Sequence, residues 1–120
     1  MDDEAAIREL LNMILVEENY QVVEFEEFQG MDSLVKADPA LIILDAKLPK
    51  VSGIEVSQLL KAHPKMRQVP ILALSASSEK ELTEMCCEAF LPKPFNVDEL
   101  LEHVEALLKP QSQRLEALAS

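Results

Sequence analysis

The sequence has 120 residues, enough for one domain that buries a core without staples. Its 48% hydrophobic share is ordinary, and a net charge of −11 excludes a surface built to grip a phosphate backbone, so direct nucleic-acid binding is not expected. No apolar run approaches the roughly 18 residues that span a bilayer, and the first residues are acidic where a signal peptide is basic, which predicts a cytoplasmic protein with no membrane segment.

From Glu4 onward, Ile7, Leu10, Leu11, Ile14 and Leu15 recur at helical spacing and predict an amphipathic helix to about Glu18, with Asn19 as its stop. Gln21 to Phe25 carries β-branched and aromatic residues and reads as a short strand. A helix is expected from about Phe28 to Lys36, closed by Asp38-Pro39. Ala40 to Asp45 is an aliphatic run that ends abruptly on a carboxylate, the pattern of a strand buried on both faces. Ser52-Gly53 opens a third helix, with Ile54, Val56, Leu59 and Leu60 inward and His63-Pro64 at its end. Val69 to Ser75 is a second apolar strand, finishing on a small polar residue. A short helix around Glu79 to Glu88 and a strand at Ala89 to Pro92 follow. Lys93-Pro94-Phe95 forms a turn, and Asn96 caps a last helix whose stripe is Val97, Leu100, Leu101, Val104, Leu107 and Leu108. The domain is expected to cover residues 1–109, with 110–120 as a C-terminal tail or the start of a linker. Cys86 and Cys87 are adjacent and lack the spacing of a zinc site, so they are read as packing residues.

Helices alternating with short apolar strands predict an α/β fold, a doubly wound parallel sheet with helices on both faces. Ligands in such sheets bind at the carboxyl ends of the strands. Asp45, Ser75 and Lys93 each lie at or just beyond a strand's carboxyl end, so all three should meet on one edge. Together with the acidic pair Asp2-Asp3 they form a chemical kit: grouped carboxylates hold a hard cation such as Mg2+, and with that cation in place one carboxylate can attack a phosphoryl group. Each residue alone has an ordinary reading. Asp2 and Asp3 favour a helix N-terminus, Ser75 suits a turn, Lys93 suits a surface and Phe90 suits a half-buried packing position.

In Asp2-Asp3-Glu4, Leu41 to Asp45 with Leu48-Pro49 and Gly53, Leu74-Ser75-Ala76 and Lys93-Pro94-Phe95, the chain resembles the receiver domain of two-component response regulators. The resemblance covers Asp2 to about Leu108 and implies a flavodoxin-like fold. It implies Asp45 as phosphoacceptor, and Asp2, Asp3, Asp45 and the backbone carbonyl of Lys47 as ligands of Mg2+. It makes Ser75 the switch hydroxyl, Phe90 the switch aromatic and Lys93 the partner of the phosphoryl group, with Lys93-Pro94 as a candidate cis bond. The implied partners are a histidine kinase or a histidine phosphotransfer protein, with a downstream protein or output domain that the sequence does not name.

Three features depart from the family. The opening strand that precedes the acid pair, central in the spatial order 2-1-3-4-5, is missing from this sequence, which suggests an N-terminally truncated receiver with about four strands and five helices. Its loss leaves a gap of about 10 Å between Val22 and Ile43, expected either to close or to drive self-association through the open sheet edge. The segment between Ser75 and Lys93 is short, and Lys47 places an ammonium two residues after the acceptor, where it is expected to pair with the acid cluster or the phosphoryl oxygens. A degenerate receiver that binds partners without phosphorylation is the alternative reading. An aspartate-nucleophile phosphatase is disfavoured, because such enzymes carry a general acid where this chain has Lys47, so no turnover enzyme is expected.

Overall fold

The structure is a computed structural model that describes residues 1, 5–48, 52–75 and 84–108. Among these residues the order is α1 (Ala5–Glu17), α2 (Met31–Ala37), β1 (Ile42–Asp45), α3 (Gly53–Ala62), β2 (Ile71–Ser75), β3 (Ala89–Pro92) and α4 (Val97–Leu108). The three strands form one parallel sheet in the order β1-β2-β3. Ile42 lies opposite Ile71 and Asp45 opposite Leu74, while Leu72 lies opposite Ala89 and Ser75 opposite Pro92.

Strand alternation divides the apolar residues between two faces. Ile42, Leu44, Ile71 and Ala73 pack with Leu34 of α2 and with Val56 and Leu60 of α3. Leu72, Leu74 and Leu91 pack on the opposite face with Leu11, Ile14 and Leu15 of α1 and with Leu100 and Val104 of α4. Every residue of β2 is buried, as expected of the strand flanked on both sides.

Local chemistry accounts for the helix ends. Ser52 Oγ accepts from the Glu55 amide at 3.3 Å, and Asn96 Oδ1 accepts from the Glu99 amide at 2.7 Å while its Nδ2 donates to Glu99 Oε1, a reciprocal cap. Asn19 ends α1 with φ 68, and Asp38 ends α2 with φ 48, left-handed conformations that short polar side chains tolerate. Gly30 stands at the N-cap of α2 with φ 101, so the second helix starts after the glycine instead of containing it.

One expectation is corrected. Gln21 to Phe25 is not a strand: none of these residues makes a backbone hydrogen bond to another described residue. The segment is anchored to α1 instead, through the Tyr20 amide on the Leu15 carbonyl and through Glu24, which accepts from Asn12 Nδ2 at 2.8 Å and lies 4.0 Å from Arg8. The described residues thus hold three of the four expected strands and four of the five expected helices, the remaining helix falling largely outside them. Of the short helix near residues 79–88, residues 79–83 lie outside the described residues, Glu84 is helical, and Met85 to Glu88 is irregular.

The gap beside β1 does not close either. A groove of about 500 Å³ runs between β1 and the Tyr20–Phe25 segment. Among the described residues Met1 alone bonds to this edge of β1, its amino group donating to the Ile43 carbonyl and its carbonyl accepting from the Asp45 amide at 2.9 Å. No helix among the described residues is long and apolar enough to cross a membrane.

Candidate functional site

The carboxyl edge of the sheet is built by three strand ends. Asp45 terminates β1 and is only 4% exposed, Ser75 terminates β2 and is 1% exposed, and Lys93 follows β3 directly. An isolated buried carboxylate is costly, and this one is compensated. Lys93 Nζ donates to Asp45 Oδ2 at 3.0 Å, and the Lys47 amide donates to Asp45 Oδ1 at 3.0 Å. The Lys93 amide also donates to the Ser75 carbonyl at 2.7 Å, which ties the turn after β3 to the end of β2. The Lys93-Pro94 bond is cis.

The structure therefore brings Asp45, Ser75 and Lys93 together as the strand ends predicted. Phe90 lies on β3 opposite Ala73, half-buried and packed against the core on the α2/α3 face. Asp2 and Asp3 lie outside the described residues. The Lys47 side chain is exposed and its amide engages Asp45, while the acid pair with which its ammonium was expected to pair lies outside the described residues.

Gly53 matters in a way that its place in the sequence only partly signalled. A Cβ there would lie 2.1 Å from the Asp45 carbonyl oxygen and 2.7 Å from the Ala46 Cα. The glycine lets the N-terminus of α3 press against the chain leaving β1, and its amide donates to the Ala46 carbonyl at 2.9 Å. The start of α3 and the end of β1 are thus fastened together by backbone alone.

With this geometry in hand, the chain can be placed among known proteins. The response regulator receiver domain family matches residues 1–105. The chain belongs to that family. It is 32% identical over 114 residues to the phosphate regulon transcriptional regulatory protein PhoB of Klebsiella pneumoniae, covering 91% of this chain and 50% of that protein. The chain spans about half the length of the PhoB relatives it matches. The polar-differentiation response regulator DivK of Brucella anthropi is 31% identical over 108 residues, covering 82% of this chain and 88% of that protein. Among solved structures, the receiver domain of the sensor histidine kinase PA1611 from Pseudomonas aeruginosa superimposes with a TM-score of 0.76 at 23% identity, covering 90% of this chain and 93% of that one. That structure carries a magnesium ion in its active-site cleft. The fold is the flavodoxin-like receiver fold, and the receiver is a signalling domain.

Proposed function

We propose that this receiver accepts a phosphoryl group on Asp45 from a histidine kinase or a histidine phosphotransfer protein, in the cytoplasm. The observation that carries the reading is the buried Asp45 carboxylate held by the Lys93 ammonium at 3.0 Å on the carboxyl edge of a parallel sheet. An Asp45 oxygen attacks phosphorus, the bond from phosphorus to the donor's imidazole nitrogen breaks, and that nitrogen recovers a proton. Lys93 then pairs with a phosphoryl oxygen, and the Ser75 hydroxyl, one residue beyond the Asp45–Leu74 pair on the adjacent strand, donates to another. Drawing Ser75 inward makes room for Phe90 on β3, which changes the surface a partner reads.

The available donors fit Mg2+, which prefers oxygen ligands. They are the Asp45 carboxylate, the Lys47 carbonyl and the carboxylates of Asp2 and Asp3, which follow Met1, whose carbonyl accepts from the Asp45 amide. The cation's contribution is to offset the charge between the carboxylates and the incoming phosphoryl group. We place the receiver in residues 1–109, with its output supplied by another protein or by another part of a longer chain.

Incubation with acetyl phosphate, with and without EDTA, should add the mass of one phosphoryl group only when Mg2+ is present. Asp45→Asn should abolish the addition. Equal addition to that variant would remove Asp45 as acceptor, and no addition to the parent chain would leave a module that binds without phosphorylation.

A further inference from the structure

At the amino end of the sheet two charged side chains occupy places that backbone groups hold elsewhere in the ladder. In β2 and the residue before it, Pro70 and Leu74 face β1 and accept from Ile42 and Ala46, while Ile71 and Ser75 face β3 and accept from Glu88 and Lys93. Continued one rung toward its amino end, β3 would offer Cys86, its amide to the Val69 carbonyl and its carbonyl to the Ile71 amide. The chain turns away first: the Cys86 amide donates at 3.1 Å to the hydroxyl of Ser57, a buried residue of α3 whose Oγ donates in turn to the Ile54 carbonyl at 2.7 Å. Two backbone groups beside β2 then need other partners. Glu88 Oε1 accepts from the Ile71 amide at 2.8 Å, and Lys61 Nζ donates to the Val69 carbonyl at 3.1 Å. Lys61 also holds both Glu88 carboxylate oxygens at 2.7 Å and the Arg67 carbonyl at 3.3 Å. Ion pair and ladder are thereby one network, anchored on α3 one turn beyond Ser57.

We propose that Glu88 and Lys61 are positioning residues for Lys93: their side chains replace the rung that Cys86 leaves unmade, fix the register of β3 on β2, and so hold the Lys93 ammonium at the Asp45 carboxylate. The strand has little else to fix its register. It is the edge of the described sheet, four residues long, with Leu91 its one buried side chain and with Pro92, opposite Ser75, lacking an amide. The Ser75 carbonyl is taken instead by the Lys93 amide, one residue beyond, at 2.7 Å. A slip of two residues keeps every side chain on its own face and displaces Lys93 by about 6.6 Å. That is far more than the contact of 3.0 Å between Nζ and Asp45 Oδ2 tolerates. In the observed register both the backbone and the side chain of Glu88 meet Ile71, the amide donating to its carbonyl at 3.0 Å and the carboxylate accepting from its amide, and a slipped strand loses both. As a bare pair on the surface, with side chains 23% and 37% exposed, Lys61 and Glu88 would contribute little. Their importance comes from the Ile71 amide, which belongs to a fully buried residue and is costly to leave unmet. The effect of the pair on phosphoryl transfer rests on Asp45 being the acceptor; its effect on the place of Lys93 does not.

The test compares Glu88→Ala, Glu88→Gln and the charge swap of Lys61→Glu with Glu88→Lys in the full chain. It reads exchange of the Ile71 amide, the NMR signal of the Lys93 ammonium, which persists while that group is held in an ion pair, and the rate of phosphorylation by acetyl phosphate with Mg2+. Glu88→Ala should speed exchange of the Ile71 amide by at least about 10-fold, lose the Lys93 signal and slow phosphorylation by about 10-fold or more. Glu88→Gln keeps an oxygen for the Ile71 amide and should retain the Lys93 signal and more than about half the rate. The swap should behave as Glu88→Ala does, because a lysine side chain has no acceptor for that amide. Recovery of the parent behaviour by the swap would reduce the two residues to a simple ion pair and overturn the proposal. So would a Glu88→Ala protein that is less stable yet keeps the Lys93 signal, loss of that signal in Glu88→Gln, or an unchanged phosphorylation rate once the signal is lost. If Glu88→Ala does not fold, the contrast between Glu88→Gln and the swap decides. A parent chain that acetyl phosphate leaves unmodified would count against Asp45 as acceptor, and the Lys93 signal would still decide whether the pair positions Lys93.

Discussion

The two edges of β1 receive the same kind of residue and meet different fates. Toward β2, Ile42 and Leu44 are paired, covered and close-packed, and the strand ends on a carboxylate held from two sides. Toward the Tyr20–Phe25 segment, Leu41 and Ile43 face a groove with one rung, and Val23 stands 65% exposed. Aliphatic content is therefore not what separates order from openness. A strand becomes rigid when a neighbour answers its hydrogen bonds, and the buried Asp45 carboxylate is borne on the answered side.

The sharpest test contrasts the two sides directly. Leu74→Ala removes a fully buried side chain between α1 and α4 and should cost about 2–5 kcal/mol in urea unfolding, whereas Val23→Ala should stay within about 0.5 kcal/mol. Equal costs would mean that the groove side is as well packed as the sheet interior. Next in size, Gly53→Ala should cost about 1–3 kcal/mol, because the new methyl group meets the Asp45 carbonyl and the Ala46 backbone, none of which is a flexible side-chain end. Phosphorylation from acetyl phosphate should slow in parallel as α3 backs away, and an unperturbed rate would show that the acceptor is held without that helix. The smallest effect expected is that of Asn96→Ala, about 1 kcal/mol from loss of the α4 cap, with phosphorylation unchanged. A changed phosphorylation rate in that variant would mean that the turn after β3 carries strain from α4 into the site.

Much of this was legible in one dimension because it is local. The aliphatic runs at Ile42–Leu44 and Ile71–Leu74 are too short for buried helices and end on polar residues, so each announces a parallel strand with its carboxyl end marked. Asp45, Ser75 and Lys93 could be placed on one edge before any coordinates, since parallel strands put all their carboxyl ends on the same side. The caps at Ser52 and Asn96 were likewise written in residues three positions from their partners.

What only the tertiary structure decided are the relations between distant segments. Gln21 to Phe25 has the composition of a strand, but a strand is a pairwise object, and without a partner the same residues are held by α1 through Glu24. The sequence drew attention to the Lys47 side chain; only the folded turn shows that the Lys47 amide donates to the Asp45 carboxylate. Gly53 looks like a helix opener in sequence, and only the close approach of α3 to the Asp45 carbonyl reveals it as the point where helix and site are fastened. Periodicity records which face of its own element a residue occupies, and the partner that face meets is set by how the whole chain packs.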